Sequence, residues 1–192
     1  MAATGAAGHL ILGHRGGIDL QSRQGAIAAE NIYGAGDITL FSHHGISVLQ
    51  TILSHHNIAI HTQADAAVHF GQLIAYENAK IESGAVDFSS LMTGQDAVLK
   101  VGSLDAGALM TGVDFVSSAL NPSGDLILHD HGSLSVTAQE GITVGQIASG
   151  GDIALFVDND IYYIFIMIRS LVWHSHTDIG LWGDRLRGEM CG

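Results

Sequence analysis

Proline occurs once in 192 residues and cysteine once, as Cys191. A lone cysteine excludes an internal disulfide framework and leaves the redox compartment unreadable. Basic residues are also scarce. Lys and Arg number 7 against 19 Asp and Glu, a net charge of −12 with histidine neutral, and between Gln24 and Ile168 only Lys80 and Lys100 are basic besides histidine. Phosphate backbones require a basic stripe, so nucleic acid is excluded as a partner, and so is polybasic attachment to anionic lipid. Aromatic residues make up only 6% of the chain, which leaves any core to Ile, Leu, Val and Ala. The longest apolar run, Ile161–Ile168, is far short of the ~20 residues a spanning helix needs. The first fifteen residues have no basic stretch ahead of an apolar one. The sequence therefore predicts neither membrane insertion nor a secretory signal within this chain.

What is abundant is glycine, 25 residues or about twice the usual share, in a chain that is 47% apolar. That composition opposes disorder. The glycines punctuate a recurring unit, a small or polar residue followed by alternating aliphatics. It occurs in Gly36-Asp-Ile-Thr-Leu40, Asn57-Ile-Ala-Ile60, Gly124-Asp-Leu-Ile-Leu128, Gly132-Ser-Leu-Ser-Val136 and Gly151-Asp-Ile-Ala-Leu155. The first inward aliphatics are expected at Ile18, Ile38, Ile58, Ile81, Ala97, Phe115, Leu134 and Ile153, at steps of 20, 20, 23, 16, 18, 19 and 19 residues. A second strand follows at a constant offset of eight residues in several units, as Gly25-Ala-Ile-Ala28 after Ile18, Gly45-Ile-Ser-Val48 after Ile38 and Gly141-Ile-Thr-Val144 after Leu134.

Alternation with period two marks strands. The Asn-Gly and Asp-Gly pairs of tight hairpins are missing, so each strand is expected to pair in parallel with its equivalent one coil later. The predicted fold is all-β, a right-handed parallel β-helix of ~19-residue rungs over residues 10–157. Eight rungs at ~4.8 Å make a rod of roughly 40 Å. The 23-residue step suggests that the alanine-rich stretch 63–82 loops out. After Val157 the pattern lapses, and both tryptophans, the cysteine and three of five arginines follow Ile168. Residues 158–192 are therefore expected to be a non-repeat tail, a cap or an unrelated sequence.

The segments Gly34-Ala-Gly-Asp-Ile-Thr-Leu40, Gly132-Ser-Leu-Ser-Val-Thr-Ala138 and Ala148-Ser-Gly-Gly-Asp-Ile-Ala-Leu155 resemble the haemagglutinin repeats of the filamentous haemagglutinin family, the adhesins and contact-dependent toxin carriers of two-partner secretion. The likeness covers about residues 10–157 and is strongest over 121–155. It implies a right-handed β-helical shaft, without catalytic residues, in a protein secreted to the cell surface through an outer-membrane secretion partner. It further implies that outward side chains meet ligands on host or neighbouring cells, and that this chain is a fragment of such an adhesin. The chain departs from the family in lacking a signal peptide, an amino-terminal secretion domain and a repeat-like tail.

Two other functions compete with the shaft. The first is a histidine-rich metal-binding module, drawn from twelve histidines. His129-Asp-His131 and His174-Ser-His176 place two imidazoles on one strand face about 7 Å apart, and His43-His44 and His55-His56 are candidates to meet across a rung. The second is a β-helical carbohydrate-active enzyme. That chemistry requires carboxylates ~5–10 Å apart on one face, and the glycine-linked Asp37, Asp125 and Asp152 are more simply turn residues holding backbone groups. Arginine is lacking between Arg23 and Arg169, Ser-His neighbours such as Ser42-His43 and Ser54-His55 point to opposite strand faces, and no Gly-x-Ser-x-Gly or P-loop text occurs. The sequence reading therefore assigns no catalytic, cofactor or metal residues and predicts a protein that is not an enzyme. Protonating all twelve histidines would carry the charge from −12 to about 0, which predicts association of rods below about pH 6.

Overall fold

The computed structural model describes residues 16–123 and 126–158 in full, and the backbone alone of 3–4, 10–11, 160–167, 170–175 and 179–180. Expectations resting on His9, His14, Asp125, His176, Trp182 and Cys191, and on the side chains of Trp173 and His174, lie outside the described residues. The chain coils as a parallel β-solenoid of about 7 turns. Each rung presents three faces, A, B and C. Face A runs through Ile18–Ser22, Ile38–Ser42, Ile58–Thr62, 79–83, 97–101, 134–138, Asp152–Val157 and Ser170–Ser175. Faces B and C share one strand per rung, beginning with Ile27–Gly34, Ile46–Ser54 and Val68–Ala75. The strand kinks between them where the register slips, at 29–31 in the first rung and 48–51 in the second.

Alternation places every second residue inside, and parallel register stacks like on like. One inward column on face A is Leu40, Ile60, Ile81, Leu99, Val136 and Leu155, each almost wholly buried. Face B stacks Phe70 on Phe88, ring centroids 4.7 Å apart and nearly parallel. Burial of each such side chain stabilises by roughly 1.5–3 kcal/mol. The core is a continuous aliphatic rod with these two rings inside it.

Two of the corners carry recurring contacts between rungs. Between faces B and C of the fifth rung sits Gly107, where an added Cβ would overlap the Ser89 carbonyl oxygen of the rung below. Between faces C and A a ladder of polar side chains climbs the coil. Asp37 Oδ1 accepts the Asn57 N–H at 3.0 Å, Asn57 Oδ1 accepts that of Asn78 at 3.2 Å, Asn78 Oδ1 that of Asp96 at 3.1 Å, and Asp96 Oδ1 that of Ser133 at 2.7 Å. Each side chain thus satisfies a backbone donor one rung further on, where no strand partner is present.

The observed face-A register runs Ile18, Ile38, Ile58, Ala79, Ala97, Leu134, Ile153, Leu171. Ile81 is inward but is the second inward position of its rung, so the third step is 21 residues rather than 23. The additional residues form a corner at 63–67, while face B resumes at Val68 inside the stretch expected to loop out. Phe115 is not a rung. It opens helix α1 (Phe115–Leu120), capped by Asp114, whose carboxylate accepts the Ser117 N–H at 2.9 Å. Ala97 pairs directly with Leu134, 37 residues on, so the described residues between 112 and 133 form an excursion from the coil. Of the strand expected at 124–128, the described residues 126–128 are likewise not part of the solenoid; Leu128 makes an isolated antiparallel bridge to Val113. Past Val157 the sequence pattern lapses but the ladder continues, with Asp160–Met167 parallel to 141–148 and Ser170–Ser175 parallel to Asp152–Val157.

Candidate functional site

The corner between faces A and B is the least uniform part of the coil. It takes five residues in the third rung (63–67), a single glycine in the fourth and fifth (Gly84, Gly102), and two residues in the sixth (139–140). Long corners flank short ones, leaving a saddle two rungs across, or about 10 Å. On the face-A side the saddle opens into a concavity of about 820 Å³ lined by His61, Gln63, Asp65, Glu82, Lys100 and Gln139. On the face-B side a second, of about 510 Å³, is lined by His69, Asp87, Ser103, Asp105, Glu140 and Thr143.

Electrostatics differ on the two sides. Glu82 is held by Lys80 Nζ at 2.9 Å and by His61 Nδ1 at 3.2 Å, and the Lys80 contact, with a smaller contribution from His61, holds its carboxyl below the usual range. Asp87 meets His69 Nδ1 at 3.2 Å. One rung on, Asp105 is its register partner, so both carboxylates leave the same face on neighbouring strands ~4.8 Å apart. Retaining glycosidases set two carboxyl groups about 5–5.5 Å apart as acid and nucleophile, which makes aspartates paired across neighbouring strands candidates for that chemistry.

Of the aspartates singled out by sequence, the two described ones, Asp37 and Asp152, do not line this saddle. Asp37 is at the opposite C–A corner, where hydrogen bonds from the Asn57 backbone and amide hold its carboxyl below the ordinary value, and Asp152 lies exposed at the start of a strand. Asp87 and Asp105 went unnoticed although a signal was present. Asp87-Phe-Ser-Ser-Leu-Met-Thr-Gly94 and Asp105-Ala-Gly-Ala-Leu-Met-Thr-Gly112 share Asp-x-x-x-Leu-Met-Thr-Gly at an 18-residue offset.

The histidine pairs disperse. His43 and His44 occupy the A–B corner and His55 and His56 the C–A corner of the coil, so the two pairs do not meet across a rung. His129 and His131 lie in the excursion rather than on a strand, with rings stacked 4.7 Å apart, closer than the strand spacing implied. His61 stacks on Phe41 at 5.5 Å and His55 packs on Tyr76 at 5.0 Å. Among the described residues no three His, Cys, Asp or Glu side chains group as metal ligands. No family model matches the chain, and comparison with curated proteins and with solved structures finds no match.

Proposed function

We propose that the chain is a shaft segment of a secreted, surface-exposed filamentous adhesin, the role its repeats resemble. The observation that supports this is the recurrence of the same residue classes at the same register, as in Ile38, Ile58, Ala79, Ala97, Leu134 and Ile153. Each rung buries its apolar face only against its neighbours, so length is added without a new core, which suits a spacer. In this reading the outward side chains meet host or neighbouring-cell ligands, and the parent protein leaves the cell through an outer-membrane secretion partner. An antibody raised against this chain, applied to intact cells of the organism that encodes it, is expected to label their surface and to detect a protein much larger than this chain. A band of this chain's own mass confined to the cell interior would overturn the proposal.

The paired Asp87 and Asp105 favour a second reading, a carbohydrate-active enzyme with its substrate across the A–B saddle. It predicts release of reducing ends from a polysaccharide panel, lost in Asp87→Asn and in Asp105→Asn. No release by the unmodified chain from any panel member would remove it.

A further inference from the structure

Three histidines reach across rungs to carboxylates, and all three do so at one level of the coil. His56 Nδ1 lies 3.0 Å from Glu77 Oε1 at the C–A corner, His61 Nδ1 lies 3.2 Å from Glu82 Oε2 on face A, and His69 Nδ1 lies 3.2 Å from Asp87 Oδ2 on face B. In every case the histidine belongs to the third rung or the corner that opens it, and the carboxylate to the fourth rung or the corner that opens it. Among the described residues no other seam carries a His-carboxylate pair between rungs. We propose that the seam between the third and fourth rungs is an acid-tightened clasp: a belt of three pairs that are ionic when the imidazoles are protonated and simple hydrogen bonds when they are neutral.

Other charged groups surround the three pairs. His56 faces Glu77 and also lies near Asp37, whose carboxyl it helps to hold in the charged form. His61 faces Glu82, which Lys80 also contacts, and shares the saddle with Asp65 and Lys100, while the Phe41 ring covers one face of the imidazole. His69 faces Asp87, with Asp105 and Glu140 on the same side of the saddle. Seven carboxylates thus accompany two lysines and three imidazoles around the pairs. Imidazole ordinarily gains its proton near pH ~6.5 and carboxylates lose theirs near pH ~4. Pairs of this chemistry are ionic where imidazole carries its proton and carboxylate does not, so mild acidification from neutral pH tightens them. All three pairs are about half exposed, with histidine side chains 50–54% accessible, so each acts weakly and the effect lies in their coincidence at one seam.

Hydrogen exchange resolved by rung tests this, at concentrations where light scattering is flat. From pH 7.5 to 5.5, after correction for the intrinsic exchange rate, protection of the amides of Ile58–Thr62 and Val68–Ala75 is expected to rise about three- to tenfold relative to those of Ala97–Thr111. The triple variant His56→Gln, His61→Gln, His69→Gln and the complementary variant Glu77→Gln, Glu82→Gln, Asp87→Asn should each abolish the difference. A rise equal at all seams, or one that survives in either variant, would overturn the proposal.

Discussion

Asp37 Oδ1 accepts two hydrogen bonds from Asn57, one from its backbone N–H and one from its side-chain amide, both at 3.0 Å and both from one rung further along the coil. Asn57 then repeats the arrangement toward Asn78, and its amide also donates to Glu77 Oε2 at 3.0 Å. A corner that exposes backbone donors in every rung is closed by a side chain from the rung before. Asn57→Ala removes the middle of this ladder and should cost about 1–3 kcal/mol, read as a lower urea midpoint with unchanged slope. An unchanged midpoint would show that water replaces the ladder at no cost.

The same contact gives a pH dependence. The Asn57 hydrogen bonds lower the Asp37 pKa in the folded state, so the stability they provide is present above the ordinary aspartate value of about 3.9 and is lost as pH falls through the lower folded value. Between pH 5 and 2.5 the melting temperature of the unmodified chain should fall more steeply than that of Asp37→Asn. Parallel curves would refute the linkage.

Gly112 enters the excursion at φ +72°, and a Cβ there would overlap the His131 carbonyl oxygen, whereas a Cβ on Gly25 meets nothing closer than Ser22 Oγ at 3.9 Å. Gly112→Ala is therefore expected to destabilise by more than about 2 kcal/mol, combining backbone strain with a displaced neighbour. Gly25→Ala should stay within about 0.5 kcal/mol of the unmodified chain. Equal melting temperatures for the two variants would refute this account of the corner.

Phe70 and Phe88 are the stacked rings of the face-B core, 0% and 2% exposed. Phe70→Ala should cost about 3–5 kcal/mol, because the cavity lies between rungs whose spacing is held by backbone hydrogen bonds and cannot collapse. A loss below about 1 kcal/mol in chemical denaturation would mean that the rungs relax into the gap.

Helix α1 buries none of its residues, and its principal ring contact is Phe115 stacked on Tyr76 at 4.5 Å. At the base of the excursion the Asp114 N–H donates to the Ile127 carbonyl at 2.8 Å, and Ala97 pairs with Leu134 without its help. Replacing residues 115–126 with two glycines should leave the β circular dichroism spectrum intact and cost about 1 kcal/mol, the scale of one aromatic contact. Loss of the β signal would make the excursion a folding element rather than an ornament.

Charge predicts solution behaviour as well. With twelve histidines offsetting a net charge of −12, light scattering should rise between pH 7.5 and 5.5 and reverse on neutralisation. A flat trace would remove mild-acid association.

The solenoid was legible from alternation and glycine punctuation alone, because period two and a ~20-residue recurrence are local properties of the text. The equivalences Ile18, Ile38, Ile58, Ala97, Leu134 and Ile153 came from that recurrence. Phe115 was misread because a spacing near 19 on each side of it imitates a rung. Only the direct pairing of Ala97 with Leu134 reveals the intervening residues as an excursion. Past Val157 the reverse holds: glycine punctuation fades, yet backbone hydrogen bonding continues the ladder, since parallel pairing needs an extended strand and not a particular side chain.

The His-carboxylate belt was beyond the text for a different reason. Whether His56 faces Glu77, or His61 faces Glu82, depends on register, and corner length shifts register by one residue at a time. The sequence by itself determined a coiled, aliphatic, acidic β protein. Tertiary structure alone decided which outward side chains share a face, because their neighbours across the sheet are 18 to 21 residues away along the chain.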